Sequence, residues 1–231
     1  MAVADPDQGL IPFFVSRGAA GRTEIQTFFG RSFLRPFTIW VFPTRAALAA
    51  HWREVWRAPE LDEGCWAIAA ARETEVTLLS PSAWAVDACG HDRTDTVHVR
   101  LILTHELVHV LHAQRNPSLG RAAHAMPWFV EGLAVLVSGQ LSREYERQVR
   151  QLVASGYAPT RLAQIWEDTF RYGLAGSVVG YLESLAGRPA LAELLTATGE
   201  AEVLGKGGMG EGELLAGWRA SLLGSATRQA R

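Results

Sequence analysis

His105, Glu106 and His109 stand in the order His-Glu-x-x-His inside the stretch 101–112, LILTHELVHVLH. On a helix, residues four apart lie one turn above each other, so His105 and His109 can bring two imidazole nitrogens to one zinc ion. Glu106 lies about 100° round the axis from His105, placed to act as a general base on a water at that ion without ligating it. Leu101, Ile102, Leu103, Leu107, Val108, Val110 and Leu111 surround the three polar residues, so this helix should be buried on nearly every side. Burying two imidazoles and a carboxylate is costly unless something compensates, and a metal ion does. His112 lies about 10.5 Å along the axis from His105, whereas zinc holds its nitrogens at about 2.0–2.1 Å. A structural or supporting role is expected for it.

A catalytic zinc takes three protein ligands and keeps one position open for water. The third candidate is Glu131, in PWFVEGLAVLV, one turn into a helix expected to start at Pro127. Trp128, Phe129, Val130, Leu133 and Val135 make this helix apolar, so an uncompensated Glu131 would be expensive there. The small residues Gly132 and Ala134 are expected to let it approach the metal helix closely.

His-Glu-x-x-His followed, after a short connection, by Trp-Phe-x-Glu-Gly-Leu-Ala resembles the gluzincin metallopeptidases, in particular the small bacterial peptidase-MA-like domains. Weaker similarity continues through 177–182, SVVGYL, and 213–222, ELLAGWRASL. The likeness spans about residues 60–223. It implies an α+β, zincin-like fold: a small mixed sheet with helices in an N-terminal lobe, the active-site helix, and a mostly helical C-terminal lobe. It further implies a zinc-dependent peptidase with one catalytic Zn²⁺ held by His105, His109 and Glu131. Glu106 would be the base, and Tyr181 the oxyanion donor, with Tyr145, Tyr157, Tyr172 and His124 as other candidates for that role. The strand pair at 64–79 would offer an edge to an extended peptide or protein substrate. Two features depart from the pattern. The Gly-x-Met-Glu-Asn signature of aminopeptidases is absent, 64–68 being GCWAI, and Ala113 and Val135 stand where thermolysin-like members carry acids. A zinc hydrolase acting on a non-protein substrate, or a silent peptide-binding scaffold, would use the same metal set; Glu106 argues against a purely structural site.

The elements that must position these residues read as strands first and helices after. One catalytic unit is expected, with an N-terminal α/β lobe over 1–93, the active-site helix over 94–114 and a helical lobe over 115–231. Residues 11–42 mix aromatic and β-branched side chains with Gly18, Gly21 and Gly30, the clearest strand being 37–42, FTIWVF. Thr44 can cap a helix with Leu48, Trp52, Val55 and Trp56 on one face. The stretch 64–80 reads as two strands around a turn at Glu73 and Thr74, with Trp66, Ile68 and Ala70 alternating in the first. Residues 114–126 should be a loop, and 127–137 a helix. Leu141, Tyr145, Val149 and Leu152 form a further stripe. Thr160 can cap a helix bearing Leu162, Ile165, Trp166 and Phe170, further helices should end near Gly187 and Gly199, and 213–223 should be the last. The Gly-rich 204–212 lacks the spacing of a phosphate loop and reads as a surface loop.

With 231 residues, 48% of them hydrophobic, the chain can bury a sizeable core. The net charge of −2 and the lack of basic runs exclude nucleic acid as the expected main partner. No apolar run is long enough to span a bilayer, and the N-terminus, with Asp5 and Asp7, lacks a secretory pattern, so a cytoplasmic location without membrane insertion is expected. Cys65 and Cys89 can form one disulfide, though the sequence does not demand it. Oligomeric state and cleavage specificity are not legible.

Overall fold

The computed structural model describes residues 2–3, 9–62 and 64–229. The chain divides into two compact units, Met1–Ile25 with Ser32–Gln114, and Gln26–Arg31 with Arg115–Arg231.

The first unit is built on a mixed sheet of strand order β1-β2-β4-β3, from β1 (Ala2–Val3), β2 (Thr38–Phe42), β3 (Ala69–Arg72) and β4 (Glu75–Leu79). β2 runs parallel to β4, and β3 and β4 form an antiparallel hairpin turning at Glu73 and Thr74. Val76, Leu78 and Leu79 of β4 are fully buried, as befits a strand with neighbours on both sides. β3 lies at the sheet edge.

Helix α1 (Ile11–Phe29) occupies the stretch whose aromatic and β-branched residues read as strand-like. The reason lies in the buried positions: Phe14, Ile25 and Phe29 are buried, and Gly18 and Gly21 complete a helical stripe at 14, 18, 21, 25 and 29. Both glycines are contact points. A Cβ at Gly18 would meet Ile39 Cδ1 at 3.1 Å, and one at Gly21 would meet Thr104 Oγ1 at 3.0 Å. A stripe with two glycines in it is invisible to a hydrophobicity pattern.

Thr44 caps α2 (Arg45–Ala50), its Oγ1 accepting from the Ala47 amide at 3.2 Å. The helix then loosens into a π turn at His51–Val55. The wider turn changes the expected face: Leu48, Trp52 and Trp56 are buried, while Val55 is 63% exposed. Trp52 Nε1 donates to Thr77 Oγ1 at 2.9 Å, and that hydroxyl donates to the Ala70 carbonyl, joining this segment to the hairpin. Trp66 is also corrected: it sits in a 3₁₀ turn, Gly64–Trp66, before the strand begins, and is 68% exposed. Cys65 and Cys89 are disulfide-bonded, their Cα atoms 5.1 Å apart. After β4 come a 3₁₀ turn (Pro81–Ala83), the short α3 (Trp84–Asp87) and α4 (Thr96–Arg115).

The second unit is helical: α5 (Leu119–Ala125), α6 (Pro127–Ser138), a π turn at Leu141–Tyr145, α7 (Glu146–Ala154), α8 (Leu162–Glu167), α9 (Arg171–Glu193), α10 (Glu200–Gly207) and α11 (Glu211–Gln229). The expected loop at 114–126 thus contains a helix. The Gly-rich 204–212 is mostly helical, with Gly208 closing α10 at φ 66°. Phe170 lies outside α8 and is 46% exposed, because Asp168 ends that helix in an extended conformation. Gly187 breaks helical geometry within α9 at φ 79°, while Gly199 precedes α10 instead of ending a helix.

The observed class is therefore α+β, mostly helical with a small mixed sheet. Among the described residues no helix is long and apolar enough to cross a membrane.

Candidate metal centre

Helix α4 starts at Asp95, whose Oδ1 accepts from the Val97 and His98 amides at 3.0 Å each. The alternation of Val97, Val99 and Leu101 resolves as helix because this cap commits the chain at 96. Leu103, Leu107, Val108, Val110 and Leu111 are fully buried, and Leu101, Ile102 and Val99 nearly so, which confirms a helix enclosed on most sides.

The far end of α4 is held by Gln114, which is 6% exposed. Its Oε1 accepts from the Leu34 and Arg35 amides at 2.6 and 3.1 Å, and its Nε2 donates to the Arg35 and Glu73 carbonyls at 3.1 and 2.8 Å. One amide side chain thereby ties the helix to the segment before β2 and to the β3–β4 turn. Capped at one end and tied at the other, α4 has little freedom to rotate about its axis.

That rotation matters because His105 and His109 lie on one face. His105 Nε2 and His109 Nε2 are 3.1 Å apart, with the rings edge to face and their centroids 4.8 Å apart. His105 is 7% exposed, His109 half-buried, and Glu106 is 7% exposed. His112 is fully buried.

Glu131 is half-buried on α6. Pro127 opens this helix in its first turn and Gly139 closes it at φ 85°. Trp128 Nε1 donates to Glu200 Oε1 of α10 at 2.8 Å, fixing the turn that carries Glu131. Gly132 makes the close approach its size suggests, but to α9: a Cβ there would lie 2.5 Å from the Ala175 carbonyl oxygen.

His105, His109 and Glu131 each offer one ligand atom, and the three atoms lie within 4.8 Å of one another. Two imidazole nitrogens and one carboxylate oxygen are a donor set that suits zinc and leaves a coordination position for water or substrate.

Tyr181 is on α9, and its hydroxyl packs against Gly217 of α11. It lines a cavity of about 390 Å³ in the helical unit with Leu136, Arg150 and Ser177, among others. Of the other oxyanion candidates, burial pushes the Tyr145 and Tyr157 hydroxyls up to about 12, and Tyr172 meets Trp166 edge to face with the Arg171 guanidinium over its ring. Sequence reasoning passed over Gln114 and Asn116. Asn116 Nδ2 donates to the Ala197 carbonyl at 2.9 Å, its Oδ1 accepts from the Ser118 amide, and it is 3% exposed. An amide within a few residues of the end of the apolar stretch 101–112 was the available signal for both.

No protein-family model, curated protein or solved structure matches the chain. The likeness to gluzincins therefore stands on the motif residues alone.

Proposed function

We propose that the protein is a zinc-dependent metallopeptidase of zincin-like architecture, and the observation that carries this is the His105, His109 and Glu131 group with Glu106 beside it. The donor set fits zinc: the imidazole nitrogens are already 3.1 Å apart, near the roughly 3.3 Å that two tetrahedral ligands at about 2.0 Å require. A zinc ion held by these three residues would supply Lewis-acid activation of water and of the scissile carbonyl.

The chain's own residues do the proton work. Glu106 follows His105 on α4 and is 7% exposed, which supports its role as the base that takes the proton of the attacking water. It then holds that proton and returns it to the leaving amine. His105 and Glu106 are each 7% exposed, and this burial strengthens electrostatic interactions there by lowering the local dielectric. β3 supports the peptide reading, because an edge strand can hydrogen-bond an extended substrate main chain. Tyr181 serves as oxyanion donor only if its hydroxyl leaves Gly217.

The experiment is metal analysis of purified protein, followed by incubation with a diverse peptide pool, comparing wild type with Glu106→Gln. One tightly held zinc, cleavage by wild type and a loss of about 10²–10⁴-fold in the variant at unchanged zinc content are expected. Zinc bound with the pool left intact by both proteins would remove the peptidase assignment.

A further inference from the structure

A second pair of histidines stands at the start of α4, His98 in its first turn, seven residues before His105, and His91 just ahead of the helix. His91 Nδ1 and His98 Nε2 are 2.9 Å apart, the ring centroids 5.2 Å apart, and the planes inclined by only 34°. Both rings lie against Trp84, at 5.4 and 6.0 Å, and Trp84 is 1% exposed, so one wall of the pair is rigid. Both residues are half-buried. Two constraints fix the chain there. The Cys65–Cys89 disulfide, with the Cys89 amide donating to the Cys65 carbonyl at 3.0 Å, holds the backbone just before His91. The Asp95 cap fixes the turn that carries His98.

Two ring nitrogens at this distance share either one proton or one cation. Donors about 2.0 Å from a single ion lie about 2.8–2.9 Å apart at a right angle and about 3.3 Å apart at the tetrahedral angle. The observed 2.9 Å is a hydrogen-bond distance that also lets both rings reach a single ion, and copper(II) is the strongest imidazole binder among the divalent first-row metals. A helix N-terminus repels a cation, and here two carboxylates offset it. Asp95 caps the helix, and Asp92 lies near enough to His98 to feel its charge, its own carboxyl held below the usual range mainly by hydrogen bonds from Thr94. Among the described residues no cysteine is free to reduce or capture the ion.

We propose that His91 and His98 form a second transition-metal site, one that binds copper(II). It is separate from the His105 and His109 pair, because His98 and His105 are about 10.5 Å apart along the helix axis.

The test titrates metal-free full-length protein with copper(II) chloride, reading bound metal after gel filtration and nitrogen hyperfine coupling by electron paramagnetic resonance. Wild type, His91→Gln/His98→Gln and His105→Gln/His109→Gln are compared, with far-ultraviolet circular dichroism to verify folding. The His105→Gln/His109→Gln protein is expected to hold one copper with coupling to two nitrogens. The His91→Gln/His98→Gln protein should hold one copper fewer than wild type. If the double variant misfolds, His98→Gln alone should weaken copper binding at least 10-fold. Copper stoichiometry unchanged by loss of His91 and His98 would overturn the site, whatever happens at His105 and His109.

Discussion

Removing Glu131 isolates the least obvious member of the metal group. His105 and His109 need only one helix to meet, and their nitrogens already do. Glu131 comes from a different helix, so its contribution is a separate fact about the chain. Losing a residue that merely supports a ligand typically weakens metal binding 10–100-fold, so losing a ligand itself should cost more. Glu131→Ala is expected to lower zinc affinity by more than about 100-fold, measured by competition with a chromophoric chelator. Zinc retained at wild-type affinity would remove Glu131 from the set. Residue type and spacing made the meeting of His105 and His109 readable without any structure, because a four-residue interval on a helix has one geometric meaning. Glu131 was readable only through its apolar surroundings and the family likeness, since no local rule links positions 109 and 131.

At the scale of elements, what holds α4 is Gln114 more than any apolar contact unique to the site. All four of its hydrogen bonds run to backbone groups. Gln114→Leu keeps the bulk but leaves the Leu34 and Arg35 amides and the Glu73 carbonyl without this partner. The four bonds are part-buried, and at a net of about 0.5–1.5 kcal/mol each a destabilisation of about 2–6 kcal/mol is expected in urea unfolding, with the m-value unchanged. Gly132 gives the opposite test in the helical unit. Alanine is the better helix former by about 1 kcal/mol, but its Cβ would press on the Ala175 carbonyl at 2.5 Å, backbone that cannot rotate away. Gly132→Ala is therefore expected to lower Tm, as overpacking by about 1–3 kcal/mol outweighs the propensity gain. The same positions show where sequence reading succeeds and where it stops. Thr44, Pro127 and the Glu73–Thr74 turn carry local stereochemistry, and the elements they punctuate are found where expected. α1 was hidden because Gly18 and Gly21 occupy contact positions, and the π turn at His51–Val55 moved Val55 outward against its 3.6-residue period. The partner of Gly132 depends on tertiary packing, which no spacing within α6 encodes.

For the whole molecule, metal binding and folding share one free energy. An ion bound by the native chain and not by the unfolded chain adds RT ln(1 + [L]/Kd) to stability, about 4.1 kcal/mol when the free ion is at 1,000 times Kd. His105 and Glu106 sharpen this, because both are 7% exposed and a neighbouring cation offsets the cost of enclosing polar groups there. Chelation should therefore lower the Tm of the wild-type protein, and restoring zinc should recover it. For a chain of this size about 2–4 °C accompanies each 1 kcal/mol, so a drop of about 8–16 °C is expected from a site saturated 1,000-fold. His105→Ala should begin near the chelated value and respond little to either treatment. A wild-type Tm indifferent to chelator, with zinc shown to have left, would mean that the native fold gains nothing from the ion. The burial of His105 and Glu106 would then need an explanation from packing alone.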